Sequence, residues 1–110
     1  MVTIKFSDYG SCLATRELGH ELAYMAQRLF DVNEKVIFDF NGVQIVTLSF
    51  SDELFGTLIL SNGLDGLKGK SHFINTSDVV KSVIGAAIGL NKTSPRAIIQ
   101  KQLSNFQTTV

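Results

Sequence analysis

The stretch that decides the fold is KVIFDFNGVQIVTLSFSDELFGTL, residues 35–58. Its first part, KVIFDF (residues 35–40), is a nearly continuous apolar run with two β-branched residues. Such a run is typical of a strand that is covered on both faces of an α/β sheet. Asn41-Gly42 is a turn signal, and VQIV (residues 43–46) predicts a short continuation of the strand.

The second part of the stretch changes to the period of a helix. Phe50, Leu54 and Leu58 recur at i, i+4 and i+8, which predicts a helix that runs to about Leu60. Because strand and helix follow each other so closely, the stretch predicts an α/β unit in which the helix packs on the sheet.

The start of this helix offers two candidate N-caps. Ser49-x-x-Asp52 fits a capping box in its aspartate form, and Ser51 fits an N-cap as well. Asp52 and Glu53 are adjacent, so on a helix they point about 100° apart and do not form a paired acid–base site. Both carboxylates are instead expected to complement the dipole of their own helix.

The rest of the chain continues the alternation of strands and helices. Around the central stretch, the pattern predicts a strand at Val2–Phe6, a helix capped by Thr15 with the stripe Leu18, Leu22, Met25 and Leu29, a glycine-rich loop from Ser61 to Lys70, a strand at Ser71–Asn75, a helix from Thr76-Ser77-Asp78 to a C-terminal cap at Gly89, and a last helix after Ser94-Pro95.

This order predicts the α/β class: a small, mostly parallel or mixed β-sheet with helices packed on it. Residues 1–92 form the expected domain, and residues 93–110 are a C-terminal helix or tail that belongs to the same domain. The length of 110 residues suits one domain.

Composition excludes several classes of function. Ten basic and ten acidic side chains leave a net charge of zero, so we expect neither nucleic-acid nor membrane binding. The single cysteine, Cys12, indicates a reducing compartment, and the absence of a leader or a long apolar run indicates a cytoplasmic protein. His20 and His72 lack ligand spacing, so no metal or cofactor is expected.

Three short motifs resemble the bacterial STAS-like domain of unknown function, which is related to the STAS fold of anti-sigma factor antagonists. The resemblance covers roughly residues 2–90. It rests on a helix start at Thr15-Arg16, a strand that ends in Asp39, Gly42 and Val43, and a segment with Ser49, Phe50, Asp52 and Glu53.

The resemblance implies a non-enzymatic regulatory module that binds a protein partner, in the STAS case a histidine-kinase-like ATPase that acts as an anti-sigma factor. Leu48 occupies the position of the usual phosphoacceptor, which leaves Ser49 and Ser51 as candidate phosphorylation sites. Phe50 would be an anchor if it is exposed. The expected contact residues are Thr47, Ser49, Phe50, Ser51, Asp52 and Glu53.

Two alternatives remain open at the level of sequence. One is a small-ligand-sensing STAS-like domain with a pocket above the strand ends. The other is a small metal-dependent enzyme that uses Asp39, Asp52 and Glu53.

Overall fold

The fold was obtained as a computed structural model, which describes residues 1–92. The predicted last helix after Ser94-Pro95 and the assignment of residues 93–110 lie outside the described residues. Within residues 1–92, no helix is long and apolar enough to cross a membrane.

Strands and helices alternate along the described chain, which confirms the α/β class. The elements are β1 (Val2–Lys5), a 3-10 turn (Phe6–Tyr9), β2 (Cys12–Leu13), α1 (Arg16–Asp31), β3 (Val36–Asp39), β4 (Ile45–Val46), α2 (Leu48–Lys70), β5 (Ser71–Ile74) and α3 (Asp78–Lys92).

The main sheet has three parallel strands in the order β1-β3-β5. Ile4, Phe38 and Phe73 lie side by side in its register, and Phe38 contacts Phe55 of α2 edge-on at 6.1 Å between ring centroids. This face of the sheet therefore packs against α2. Along β3, buried residues alternate with half-buried ones, so the second face of the strand is only partly covered. This corrects the expectation that the strand is covered on both faces.

A separate pair of two-residue strands lies beside this sheet. Residues 43–46 were expected to continue the central strand, but β4 instead pairs in parallel with β2, and Cys12 lies opposite Ile45. The turn at Asn41-Gly42, where Gly42 has φ of 83°, redirects the chain out of the main sheet.

Helix α1 begins where the sequence predicts, because the Thr15 hydroxyl accepts the backbone N–H of Leu18 at 3.2 Å. Its buried face is rotated from the predicted stripe. The fully buried residues are Gly19, Leu22, Ala23, Ala26 and Phe30. Met25 is 37% exposed, because it lies outside this buried face of α1.

Helix α2 extends through the segment that was predicted to be a loop. Only Gly63 leaves helical geometry, with φ of 73° and ψ of 164°, and helical structure resumes and reaches Lys70. Leu67 is buried in the core, which provides the energetic reason for this continuation. The loop prediction was therefore wrong apart from the break at Gly63.

Helix α3 also runs past its predicted end. Gly89 lies inside the helix, and the buried residue Asn91 donates to the carbonyl oxygen of Ala87 at 2.8 Å. The predicted cap at Gly89 is therefore wrong, because packing of the next turn outweighs the local preference of glycine for a helix end.

Candidate functional site

The start of α2 is held by Thr47 and not by either serine. The Thr47 hydroxyl accepts the backbone N–H of Phe50 at 3.1 Å and donates to the carbonyl oxygen of Ala14 at 2.7 Å. Its backbone N–H donates to Leu13 at 3.0 Å. The predicted N-caps at Ser49 and Ser51 are therefore wrong, since both residues lie within the first helical turns.

Two of the expected contact residues face the interior. Phe50 and Ser51 each have 0% exposure, and the hydroxyl of Ser51 has no hydrogen-bond partner among the described residues. Phe50 lies at a close approach of α1 and α2, since a Cβ on Gly19 would be 2.6 Å from the Phe50 carbonyl oxygen. This burial corrects the expectation that Phe50 serves as an exposed anchor.

Solvent instead reaches the neighbouring apolar side chains. Leu48 is 45% exposed and Ile45 is 50% exposed, and Ser49 between Leu48 and Phe50 is exposed as well. Ser49 precedes Asp52 and Glu53 by three and four residues, so the three polar side chains share one face of α2. We call Ile45, Thr47, Leu48, Ser49, Asp52 and Glu53 the α2-start surface.

The carboxylates of this surface are tied to two other helices. Arg16 of α1 contacts Asp52 at 2.9 Å and Glu53 at 4.0 Å. The amide nitrogen of Asn91 in α3 donates to the other oxygen of Asp52 at 2.8 Å. Asp52 therefore joins all three described helices, and the side chains of Asp52 and Glu53 keep 23% exposure each.

Asp39 lies at the end of β3 with partners of its own. Its carboxylate accepts the Asn75 side-chain amide at 3.0 Å and the backbone N–H of Asn41 at 2.9 Å. These two hydrogen bonds, with a smaller contribution from the charge of Lys5, hold the pKa of Asp39 below its ordinary value. The backbone of Asn75 is in the left-handed conformation, with φ of 56°.

The residues considered for metal binding do not assemble in the part of the chain that the structure describes. No group of three or more histidine, cysteine, aspartate or glutamate side chains converges within residues 1–92. His20, His72 and Cys12 are all exposed. Of the three carboxylates in the enzyme alternative, Asp52 and Glu53 share Arg16, whereas Asp39 is bound by Asn41 and Asn75.

An open cleft of about 670 Å³ lies at the carboxyl ends of β3 and β5. We call it the strand-end cleft; its lining residues include Phe40, Asn41, Phe73, Asn75, Ser77 and Lys81. Phe40 and Phe73 stack there, with 11° between their ring planes. This is the edge at which open parallel sheets receive ligands.

Sequence reasoning missed Ile45, Leu48 and Asn91. The signal for Asn91 was present, because it continues the apolar stripe of Val80, Ile84 and Ala87 at helical spacing and is a polar residue in a core position. No comparable signal marks Leu48, since its exposure depends on what packs against α2.

The α/β fold, with three helices packed on small parallel sheets in residues 1–92, is consistent with a STAS-like domain. Residues 21–81, more than half of the chain, match the family described as STAS-like domain of unknown function (DUF4325). The chain therefore belongs to this family. The matched region contains Asp39 and the segment from Ser49 to Glu53 and begins after Thr15-Arg16. No curated protein and no solved structure matches the chain.

Proposed function

We propose that this STAS-like domain is a non-enzymatic regulatory module that binds a protein partner through the α2-start surface. The resemblance to anti-sigma factor antagonists suggests a histidine-kinase-like ATPase as the partner. The observation that carries the proposal is the exposure of Leu48 and Ile45 next to the accessible serine Ser49.

Folding alone does not require this exposure. The core of residues 1–92 is complete without Leu48 and Ile45, which remain about half exposed while Phe50 and Leu54 fill the interior. In a protein–protein contact, a core with few charged side chains is surrounded by a polar rim, and Leu48 and Ile45 beside Ser49, Asp52 and Glu53 fit this arrangement. Leu48 lies between Ile45 and Ser49 in the chain, which makes it our candidate for the central contact.

The surface is also preorganised for binding. Thr47 attaches the first turn of α2 to Leu13 of β2 through its backbone N–H and to the next residue, Ala14, through its hydroxyl. Arg16 holds the two carboxylates one turn further along. A partner would therefore lose little free energy in ordering these groups on binding.

Ser49 is the candidate phosphorylation site in this proposal. It is the second residue of α2, where a phosphate is favoured by the helix dipole and by free backbone N–H groups. A phosphate would add close to two negative charges to a surface that already carries Asp52 and Glu53. The added charge next to Leu48 would weaken an apolar contact and release the partner. Ser51 is buried, so the proposal does not use it.

The proposal is tested by affinity capture from the native cell, followed by mass spectrometry. Leu48→Asp is expected to lose a partner that wild-type protein captures, because truncation of a central contact typically costs about tenfold or more in affinity. Val32→Asp is the matched control, since Val32 is 67% exposed at the other end of α1. Identical partner sets for wild type and Leu48→Asp would refute the surface.

Phosphorylation is tested in the same captures. We expect a phosphate on Ser49 in part of the purified protein, weaker capture with Ser49→Asp and unchanged capture with Ser49→Ala. Ser82→Asp, which places the same charge on an exposed position of α3, is the control. If Ser49→Asp captures the partner as well as wild type does, charge at this position is not the switch.

A further inference from the structure

A second cavity adjoins the strand-end cleft and gives it an apolar extension. This cavity, of about 280 Å³, lies between β5 and α3, and we call it the α3 trough. It is lined by Phe73, Thr76, Lys81, Ile84, Gly85 and Ile88. Phe73, Thr76 and Lys81 also line the cleft, so the two cavities meet at these residues.

The trough exposes hydrocarbon that the described chain leaves partly uncovered. Phe73 is 39% exposed, although its ring contacts Phe38, Phe40 and Phe55. Gly85 lines the trough without a side chain, and a Cβ at this position would meet nothing within 4 Å, so a larger residue has room to enter the trough. An apolar chain placed here would remove the open face of Phe73 from water, which is favourable.

The described residues that line the cleft and the trough carry only positive charge. Lys81 is the only charged residue among the described residues that line the cleft and the trough, and it forms no salt bridge with any residue of the range 1–92. Next to it at the mouth, the Ser77 oxygen accepts the backbone N–H of Val80 at 3.2 Å. The Ser77 hydroxyl proton therefore remains available as a donor.

We propose that the cleft and trough bind a small monocarboxylate with an apolar chain, such as a medium-chain fatty acid. The carboxylate lies in the cleft, where Lys81 and the Ser77 hydroxyl face it, and the chain lies in the trough along Phe73. A single cation at the mouth of an apolar channel complements this charge and shape. The cleft volume is within the usual range for small-molecule sites.

This proposal names a class of ligand for the alternative in which the protein is a small-ligand-sensing domain. The site lies at the ends of β3 and β5 and along α3 as far as Ile88, and it does not depend on partner binding at the α2-start surface. Failure of one proposal therefore leaves the other standing.

The test is a titration of the full chain with octanoate, followed by two-dimensional amide NMR. We expect saturable shifts of the backbone amides of Thr76, Lys81 and Gly85. Octanol, which has the same chain length but no charge, is expected to bind up to about fivefold more weakly, the upper end of the contribution of an exposed ion pair. Octylammonium, whose positive charge is repelled by Lys81, is expected to bind more weakly still.

Two pairs of variants separate the roles of charge and shape. Gly85→Leu fills the trough and is expected to abolish octanoate binding, whereas Gly89→Leu, at a glycine of α3 with equally open space, retains it. Lys81→Gln is expected to weaken octanoate about fivefold and to leave octanol unchanged, and Lys35→Gln is its control.

Three results would overturn the inference. The first is that octanoate does not shift these amides. The second is that octanoate and octylammonium bind with equal affinity, and the third is that a folded Gly85→Leu variant binds octanoate as tightly as wild type. Circular dichroism establishes folding of each variant before the titration.

Discussion

Gly19→Ala should separate α1 from α2 at the point where Gly19 packs against Phe50 and Leu54. A Cβ at this position would lie 2.6 Å from the Phe50 carbonyl oxygen, 3.2 Å from the Glu53 Cβ and 3.3 Å from the Leu54 nitrogen. Two of these three atoms belong to the backbone of α2, so no side-chain rotation relieves the contact. The helices must shift instead, at the position that supports the α2-start surface.

The magnitude follows from two opposing terms. Overpacking against a backbone atom costs about 3 kcal/mol, at the upper end of the usual range. Replacing glycine by alanine inside a helix gains about 1 kcal/mol. Gly19→Ala should therefore lower the free energy of unfolding by about 2 kcal/mol, which for a domain of this size lowers Tm by about 10 °C.

Gly89→Ala is the matched control, because a Cβ on Gly89 meets nothing within 4 Å. Only the helix-propensity term applies there, so this variant should gain about 0.5–1 kcal/mol. Urea unfolding followed by far-ultraviolet circular dichroism measures both variants. A Gly19→Ala protein as stable as wild type would show that α1 and α2 do not approach each other as described.

Three further predictions concern buried and titrating polar groups. Asn91→Ala should cost about 1–2 kcal/mol in urea unfolding, because it removes a buried amide that donates to α2 and to its own helix. Ser51→Ala should raise stability by about 1 kcal/mol, since its buried hydroxyl lacks a partner among the described residues, whereas the same change at exposed Ser49 should stay within about 0.5 kcal/mol. The pKa of Asp39 is lower in the folded than in the unfolded protein, where it is about 3.9. This difference therefore stabilises the fold when the pH is above the unfolded pKa, and the stabilisation is lost as the pH falls through the folded pKa. Asn75→Gly keeps the backbone conformation but removes the main hydrogen bond, so urea unfolding at pH 7 and pH 3 should show a smaller loss of stability on acidification than in wild type.

Much of the fold could be predicted from the sequence, because hydrophobic period is a local property. The strand at residues 35–40 and the stripe of Phe50, Leu54 and Leu58 correspond to β3 and to the buried face of α2. The N-cap at Thr15 was equally local, since the hydroxyl and the N–H that it accepts are three residues apart. These features need no knowledge of what packs against them.

Local preference failed where distant contacts compete with it. Glycines at positions 63–69 predicted a loop, but burial of Leu67 keeps most of this segment helical. Gly89 predicted a helix end, but the hydrogen bond from Asn91 to Asp52 adds another turn to α3. In both cases the deciding partner lies far along the chain, where a reading of nearby residues does not reach.

The candidate site also has features that the sequence predicts and features that depend on contacts between distant residues. The sequence by itself determined an α/β domain of the STAS-like family, with an amphipathic helix that starts near residues 47–51. Only the tertiary structure decided that Thr47 caps this helix, that Phe50 is buried and that Leu48 faces solvent. The physical reason is that the exposure of an apolar side chain depends on its neighbours in space. For Phe50 this neighbour is Gly19, because the absence of a side chain on Gly19 lets α1 pack closely over Phe50.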